Sequence, residues 1–341
     1  MEFSVVLLEY LPEQNCSENG RRDNLFRPFM PDVNEIRHKL YTSDEYILDI
    51  ICVFKCNAML FLGIFPKKYS HSCAIHAIEF VWRETSPTQK LPSKINHYID
   101  EKAIIRLIET SVGLHSLVPG DTQVYAQIVK PLKSSPIKET DKFRNSIVKL
   151  CKKVRLEVEK STRFFRGNSS VERVGIDILI KKAALQSGDT LGILGTGQTA
   201  ELVAKIAKEN KFDAVCFGRD KTKLEAIEKK YGTKLWLLQE TKVNAVVVCL
   251  PNNPTAEAWV NEVIADIHWD GEDRYVVDLS NGIFEIRSGD TLQIINWNDI
   301  LKQIEIVRGE RNAEKNRVSN ICYSTFMEMK HLLLDFTEIN M

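Results

Sequence analysis

The stretch that decides the fold is Thr190-Leu191-Gly192-Ile193-Leu194-Gly195-Thr196-Gly197-Gln198-Thr199-Ala200. Its apolar first half predicts a strand, and the apolar periodicity that follows predicts a helix directly after the glycines. In such a unit Gly195 permits a tight turn, Gly197 lets the backbone approach a pyrophosphate, and Ala200 allows close helix–strand packing. The helix N-terminus offers free N–H groups to the phosphates. We therefore predict a dinucleotide-binding loop with the candidate residues Gly195, Thr196, Gly197, Gln198, Thr199 and Ala200.

The segment that begins with this loop alternates between strand and helix patterns. Helices are predicted at 199–210 and 221–231, and strands at 190–195, 214–218, 245–250, 275–279 and 292–296. Strands separated by helices form a parallel sheet with right-handed crossovers. We therefore predict an α/β fold with a Rossmann domain. Leu250, which ends the third of these strands, is a further candidate cofactor-binding residue.

The end of the second predicted strand bears on the choice of cofactor. An NAD site places an acid there for the ribose 2′-hydroxyl, whereas an NADP site places cations for the 2′-phosphate. The sequence is Gly218-Arg219-Asp220-Lys221. Arg219 and Lys221 favour NADPH, although Asp220 could still bind a ribose hydroxyl. A solvated arginine at a strand end is the alternative interpretation.

The residues before the Rossmann segment have a mixed α/β pattern. Strands are predicted at 3–9, 47–54 and 59–65, and helices at 32–41, 71–83 and 100–111. One long helix is predicted at 310–336. We predict three domains: an N-terminal catalytic-type α+β domain at 1–145, an NADPH-binding Rossmann domain at 146–290 and a C-terminal helical segment at 291–341.

Composition excludes several classes of protein. The formal net charge of the 341 residues is zero, so the chain as a whole does not require a nucleic acid or membrane partner. The N-terminus lacks the basic region of a signal peptide. The most apolar stretch, 46–65, is interrupted by Asp49 and Lys55, which favours a buried strand pair over a membrane helix. Eight cysteines occur without CxxC or zinc spacing, which predicts no metal site and favours reduced thiols in the cytoplasm.

The segment 127–167 is locally basic. It contains twelve Lys or Arg residues against four acids, and much of its second half is a predicted helix at 141–160. One interpretation is a solvated helix face that links two domains. The other is a basic surface that contacts phosphates.

Several segments together resemble glutamyl-tRNA reductase. Residues 112–123, Val-Gly-Leu-His-Ser-Leu-Val-Pro-Gly-Asp-Thr-Gln, are similar to that family's "GLDS…GE-x-Q" signature. Residues 53–57, Val-Phe-Lys-Cys-Asn, stand where the family has its "STCNR" strand. Residues 152–155 and 169–184 resemble the approach to its NADPH domain, and residues 296–300 resemble the "vDDL" segment before its spinal helix. The resemblance runs in the family's order from about residue 45 to the end.

The resemblance implies a two-step reduction of an aminoacyl-tRNA. A cysteine thiolate attacks the aminoacyl ester and forms a thioester, which NADPH reduces to glutamate semialdehyde. A thiolate suits this role because it is both a good nucleophile and a good leaving group. By position Cys56 is the nucleophile, Asn57 supports its loop, and Ser116 and Gln123 line the aminoacyl pocket. Lys55 beside Cys56 would enrich the thiolate, although a cysteine in an apolar run is more often buried packing.

The sequence also departs from the family's pattern. The arginine that pairs with the substrate carboxylate is Ala58 here, and the following glutamate is Leu60. The acid of "GLDS" is His115, and the active-site histidine falls at Arg106. Without the arginine, glutamate is a doubtful substrate. Arg106 could supply the missing cation, contact tRNA or cap a helix, and we count it and His115 among the candidate substrate-binding residues.

Other functions remain open. The family's usual N-terminal pattern is hard to find, and its dimerisation domain beyond the spinal helix is expected to be absent, so a homodimer is an open question. A non-catalytic homologue that binds NADPH, tRNA or a protein would show the same substitutions. A small-molecule reductase of the shikimate-dehydrogenase type would need a Lys/Asp pair, for which Lys102 and Asp121 are available at no diagnostic spacing.

Overall fold

The computed structural model describes residues 3–11, 48–54, 59–66, 94–167, 170–250, 254–280, 286 and 291–334. The chain divides into two compact units. Of the described residues, the first unit contains those up to 167 and those from 307 onward, and the second contains 170–306. Among the described helices, none is long and apolar enough to cross a membrane.

Up to residue 167, the described part of the first unit combines an antiparallel sheet with three helices. The sheet has the strand order β2-β3-β1-β4, and Leu62 in β3 pairs with both Leu7 and Ile51. The elements are β1 (Phe3–Leu11), β2 (Asp49–Phe54), β3 (Met59–Pro66), β4 (Lys94–Ile99), α1 (Glu101–Ser111), α2 (Gln123–Ser134) and α3 (Asp141–Ser161).

The core of this unit lies between one face of the sheet and the helices. Val5 and Leu7 of β1 alternate toward it, as strand geometry requires, and meet Ile104 and Leu107 of α1. Later turns of α3 add apolar residues at helical spacing, namely Ile147, Leu150, Cys151, Val154 and Val158.

A buried ion pair joins α3 to β2. The Arg144 Nε lies 3.0 Å from an oxygen of Asp49, and both side chains are almost completely buried. Ser135 and Thr140 donate hydrogen bonds to the same carboxylate, at 2.9 and 2.6 Å. The guanidinium also donates to the carbonyl oxygen of Ile137, at 2.6 Å. Both charges are therefore satisfied within the core, as burial demands.

The second unit is a doubly wound Rossmann fold. All strand pairs are parallel, and the order is β10-β9-β8-β5-β6-β7, which corresponds to 3-2-1-4-5-6 when read from β7. The order reverses between β5 and β8. The elements are α4 (Val171–Lys182), β5 (Thr190–Leu194), α5 (Gln198–Glu209), β6 (Asp213–Phe217), α6 (Lys221–Tyr231), β7 (Lys234–Leu235), β8 (Ala245–Val248), α7 (Pro254–Ala265), β9 (Arg274–Asp278) and β10 (Leu292–Ile295).

One long helix, α8 (Trp297–Met329), follows and is succeeded by the short α9 (His331–Leu334). The predicted start at Glu310 was wrong by 13 residues, since the helix begins at Trp297. The Asn296 side chain accepts hydrogen bonds from the N–H groups of Asn298 and Asp299, at 2.9 and 3.2 Å, which caps the helix. Residues up to 306 belong to the second unit and those from 307 to the first.

Most predicted elements within the described residues are confirmed within a few positions. β4, α2, α4, β7 and α7 were missed. β4 carries the polar residues Asn96 and His97, and α2 contains Pro131, so neither has a clean periodic pattern. The predicted helices at 32–41 and 71–83 lie outside the described residues. The predicted domain division at 146 also differs from the observed units, because all of α3 belongs to the first unit.

Candidate functional site

The turn after β5 can be made only by glycine. Gly195 has a φ of +132°, and a Cβ atom there would lie 2.5 Å from the carbonyl oxygen of Cys249. The Gly195 N–H donates to Phe217 O at 2.8 Å, and the Cys249 N–H donates to Leu194 O at 2.8 Å. These bonds hold the carboxyl ends of β5, β6 and β8 together. Glycine is needed for both backbone conformation and space.

Gly197 differs from Gly195 because open space surrounds it. It is exposed, its backbone is extended, and a Cβ atom there would meet nothing within 4 Å. Gly197 is the N-cap of α5, so the free N–H groups and the positive end of the helix dipole lie beside it. These are the features that a phosphate-binding helix N-terminus requires.

A cavity of about 810 Å³ opens at this point. It lies at the carboxyl ends of the parallel strands, beside the reversal of strand order where Rossmann folds bind dinucleotides. Five predicted cofactor residues line it, namely Gly195, Thr196, Gly197, Arg219 and Leu250. The other predicted residues of the loop, Gln198, Thr199 and Ala200, form the first turn of α5 instead. Asp220, which the sequence left open as a ribose contact, also lines it, and so do residues that were not predicted: Gly218, Lys223, Cys249, Ala256 and Trp259.

The cations at the end of β6 are arranged differently from the prediction. Arg219 is exposed and lines the cavity. The second cation that lines it is Lys223 and not the predicted Lys221. Asp220 caps α6 by accepting from the Lys223 N–H at 3.1 Å, and its carboxylate lies 3.1 Å from the Lys223 Nζ. Hydrogen bonds from Lys223 hold the pKa of Asp220 below its usual value. Asp220 is therefore already engaged by its own helix.

An aromatic pair was missed by the sequence analysis. Trp259 of α7 stacks on Phe217 at the end of β6, with ring centroids 5.6 Å apart and an interplanar angle of 7°. Trp259 lines the cavity. No local pattern could have revealed the pair, because its members lie on different helix–strand units that only the folded sheet brings together.

A polar cluster in the first unit contains two predicted residues, Arg106 and His115. The guanidinium of Arg106 lies 2.6 Å from an oxygen of Glu9, whose side chain is only 1% exposed. The same guanidinium packs over the ring of Tyr98, 5.3 Å from the centroid. Burial raises the pKa of Tyr98, and the Glu9 charge and a hydrogen bond to Glu9 add to it, while Arg106 opposes it. Sequence reasoning missed Glu9 because an acid in an apolar strand reads as an outward-facing residue.

His115 belongs to a short chain of hydrogen bonds. Its Nε2 lies 2.8 Å from one oxygen of Glu109, and Ser319 of α8 donates to the other at 2.7 Å. Burial lowers the pKa of His115, and the charge of Arg106 adds to this, although Glu109 opposes it. Hydrogen bonds from His115 and Ser319 outweigh burial and lower the pKa of Glu109. At neutral pH the pair is a neutral imidazole beside a carboxylate.

The loop that carries His115 and Ser116 is held by α8. Arg308 donates to Leu117 O at 3.0 Å, and Arg311 donates to the carbonyl oxygens of Pro119 and Arg166. Ser116 is buried, and its hydroxyl has no hydrogen-bond partner among the described residues.

Gln123 and Leu60 are two further positions of the family pattern within the described residues. Gln123 begins α2, where its N–H donates to Asp121 Oδ1 at 2.8 Å. Leu60, which stands at a glutamate position of the family pattern, is a core residue of β3.

The predicted nucleophile Cys56, together with Asn57 and Ala58, lies outside the described residues. The described cysteines are all buried, namely Cys52, Cys151, Cys216, Cys249 and Cys322. Burial raises the pKa of the Cys216 thiol to about 11 and that of Cys151 to about 12, and it also raises the pKa values of Cys249 and Cys322. These thiols are poor nucleophiles, because the thiolate is the reactive form.

Part of the basic segment serves the fold. Arg144 is buried with Asp49, Lys153 lies 2.6 Å from Glu328, and Arg155 packs over Tyr125 at 4.8 Å from the ring centroid. Other cations of the segment are exposed, among them Lys130, Lys133, Lys142, Lys149, Lys152, Lys160, Arg163 and Arg166. No group of His, Cys, Asp and Glu in the described part of the chain could hold a metal ion.

Comparison with known proteins finds sequence similarity to glutamyl-tRNA reductases. The glutamyl-tRNA reductase of Methanococcus aeolicus is 26% identical over 160 residues, 45% of this chain and 42% of that protein. That of Shewanella halifaxensis is 28% identical over 151 residues, 42% of this chain and 35% of that protein. The chain is similar in sequence to the glutamyl-tRNA reductases over part of its length. The matches span less than half the length of these glutamyl-tRNA reductases.

Two other comparisons complete the picture. No protein-family model matches the chain. Among solved structures, the glutamyl-tRNA reductase of Methanopyrus kandleri aligns with a TM-score of 0.46 at 11% identity, over 97% of this chain and 80% of that one.

Proposed function

We propose that the chain is an NADPH-dependent reductase that converts an aminoacyl-tRNA ester to an aldehyde through a cysteine thioester. The observation that carries this proposal is the cavity of the second unit, where a glycine-only turn, a helix N-terminus and Arg219 meet. The sequence relatives point to the reaction class, since they are glutamyl-tRNA reductases.

The residues of the cavity fit a phosphorylated dinucleotide. Gly197 leaves the backbone open to a pyrophosphate at the N-terminus of α5. Arg219 and Lys223 supply cations for a 2′-phosphate, and Asp220 is occupied with capping α6. NADPH would supply the hydride that reduces the thioester to an aldehyde, with return of the cysteine thiolate.

Cys56 is the proposed nucleophile. The described cysteines are buried thiols of raised pKa or core residues, so none of them competes for the role. The Cys56 thiolate would attack the ester carbonyl carbon, and the tRNA ribose oxygen would leave with the electrons of the broken C–O bond and take up a proton. This step needs no oxidant, because the ester and the thioester have the same oxidation state.

The exposed cations of α3 and its flanks are the proposed tRNA-facing surface. They include Lys142, Lys149, Lys152 and Lys160 on the helix, and nothing in the described core uses them. Phosphate contacts of this kind set affinity and its dependence on salt. Charge reversal of Lys149 and Lys152 together should weaken tRNA binding and reduce its salt dependence.

The proposal is tested by mass spectrometry of the protein after incubation with mixed aminoacyl-tRNAs and without NADPH. We expect an aminoacyl adduct on Cys56 that Cys56→Ser abolishes while NADPH binding is kept. Cys16→Ser and Cys73→Ser are matched controls and should retain the adduct. An adduct on another cysteine, or none with any aminoacyl-tRNA, contradicts the proposal.

A second candidate function is a non-catalytic homologue that binds NADPH, tRNA or a protein partner. The observation that favours it is the ion pair of Arg106 with Glu9. Arg106 is the cation that could have replaced the family's arginine, and this ion pair already engages it. NADPH oxidation with a panel of charged tRNAs separates the two. Complete silence, with NADPH binding intact, supports the non-catalytic homologue.

A further inference from the structure

Glu9 is a buried acid whose hydrogen-bonding capacity is only partly satisfied by the described residues. It lies in β1, pairs across the sheet with Leu60 and Asn96, and its side chain is 1% exposed. Its Oε2 accepts from Arg106 at 2.6 Å and from Asn96 at 3.5 Å, which is a long bond. A hydrogen bond between Tyr98 and Glu9 helps to raise the pKa of Tyr98, but no donor among the described residues has hydrogen-bonding geometry at Glu9 Oε1. A buried carboxylate oxygen without a donor is costly.

The surrounding charges do not balance. Glu9 and Glu109 contribute two carboxylates, whereas Arg106 contributes one guanidinium. His115 does not restore the balance, because burial lowers its pKa and leaves it neutral at pH 7. These groups act on one another electrostatically, and among the described residues they form one cluster with an excess of one negative charge. Such a cluster favours a cationic ligand group and disfavours a carboxylate.

The cluster reaches the surface through two of its members. The side chains of His115 and Arg106 are 25% and 16% exposed, while Glu9 lies beneath them. The strand register places Glu9 near one end of β2 and β3: Phe54 pairs with Met59, and Met59 pairs with Tyr10, the neighbour of Glu9. The strand ends on either side of residues 55–58 are therefore next to Glu9.

We propose that this cluster binds the primary ammonium group of the substrate, with the free oxygen of Glu9 as the acceptor. This proposal rests on the proposed function. A site for an ammonium group has the opposite charge preference from a site that recognises the carboxylate of a glutamate side chain. An ammonium group brings three donors and one positive charge, which supplies both the missing hydrogen bond and the missing charge.

Non-reactive amino-acid amides test the site without NADPH, tRNA or the thiol. Calorimetry on the wild type compares norleucinamide with N-acetylnorleucinamide, and lysinamide with Nα-acetyllysinamide. An α-ammonium site binds norleucinamide at least tenfold more tightly than its acetylated form. A side-chain ammonium site instead binds both lysine amides and neither norleucine amide. Equal binding of acetylated and free norleucinamide, with no preference for lysine amides, overturns the proposal, as does no binding of any amide at millimolar concentration.

Two variants assign the effect to Glu9. Glu9→Gln keeps the shape of the side chain but removes the charge, and it should reduce the preference for the free amine at least tenfold. Glu101→Gln, an exposed acid on α1, is the matched control and should retain the preference. If Glu9→Gln does not fold, the wild-type comparison of free and acetylated amides still decides the matter. Failure of the proposed function would appear elsewhere, as the absence of a Cys56 adduct or of NADPH binding.

Discussion

Trp259 stacks on Phe217 with ring centroids 5.6 Å apart, and Trp259 lines the cavity at the carboxyl ends of the parallel strands. Aromatic faces are platforms for bases, and each stacked base contributes about 1–3 kcal/mol. We therefore expect Trp259→Ala to weaken binding of NADPH and of 2′,5′-ADP by about tenfold, and Trp259→Phe to weaken it less. Fluorescence titration measures both. Trp269→Phe, at a tryptophan that does not line this cavity, should bind as the wild type does, and unchanged affinity in Trp259→Ala would refute the stacking role.

The two glycines of the loop should respond differently to alanine. Gly195→Ala introduces a Cβ 2.5 Å from the Cys249 carbonyl oxygen at a positive φ, so it should destabilise the protein by about 1–3 kcal/mol or more. Gly197→Ala meets nothing within 4 Å and should leave the melting temperature unchanged while weakening NADPH binding. Thermal melts with NADPH titrations compare them. A Gly197→Ala protein that binds NADPH normally would contradict the proposed phosphate contact.

Arg219 should decide the preference between NADPH and NADH. Arg219→Gln removes the cation that lines the cavity at the end of β6, so the ratio of NADPH to NADH affinity should fall about tenfold or more. Lys223→Gln should have a smaller effect in the same direction, because Lys223 is also engaged by Asp220. Lys221→Gln is the control, since Lys221 is not among the residues that line the cavity. A ratio unchanged in Arg219→Gln would exclude Arg219 as the 2′-phosphate partner.

The imidazole of His115 should titrate below the ordinary histidine pKa of 6.5. Because the folded pKa is lower than the unfolded one, the unfolded chain takes up the proton first as the pH falls. The contribution of His115 to stability is therefore complete above pH 6.5 and declines as the pH falls through that value toward the folded pKa. NMR titration, with His115→Asn to assign the signal, measures the midpoint.

Glu109→Gln provides the second arm of this experiment. It removes the negative charge that raises the His115 pKa, so the midpoint should move lower still. Ser319→Ala should raise the pKa of Glu109, because the Ser319 hydroxyl donates to that carboxylate. A His115 midpoint at or above 6.5, or an upward shift in Glu109→Gln, would show that the dyad is not arranged as described.

The buried pair of Arg144 and Asp49 should dominate the stability of the first unit. Arg144→Met leaves the fully buried Asp49 carboxylate without its cation, and about 3–5 kcal/mol of unfolding free energy should be lost. The double variant with Asp49→Asn should recover part of this loss, because no unpaired charge remains. Urea denaturation measures both. A double variant less stable than Arg144→Met would mean that the remaining hydrogen bonds, not the charge, control the site.

Local sequence was enough for the elements whose side chains repeat regularly. The strand at 245–248 and the helix at 221–231 were found at nearly their observed bounds, since each buries one uninterrupted or periodic apolar set. β4 was missed because half-exposed polar residues interrupt its alternating pattern. α7 was missed because a short connection separates it from the preceding strand and obscures its helical period. The early start of α8 was missed for a related reason: Trp297, Ile300 and Ile304 look like loop packing until Asn296 is seen to cap a helix.

The nucleotide loop was determined by the sequence itself. The strand, the glycines and the helix N-terminus are adjacent within residues 190–200, so local geometry alone brings the phosphate-binding groups together. Arg106 with Glu9, 97 residues apart, and Trp259 with Phe217 were decided only by the tertiary structure. Which buried side chains meet depends on strand order and helix packing. Residues far apart in the sequence come into contact only when the fold buries both of them in the same core. The charges that meet around Glu9 in the first unit are for this reason a property of the fold.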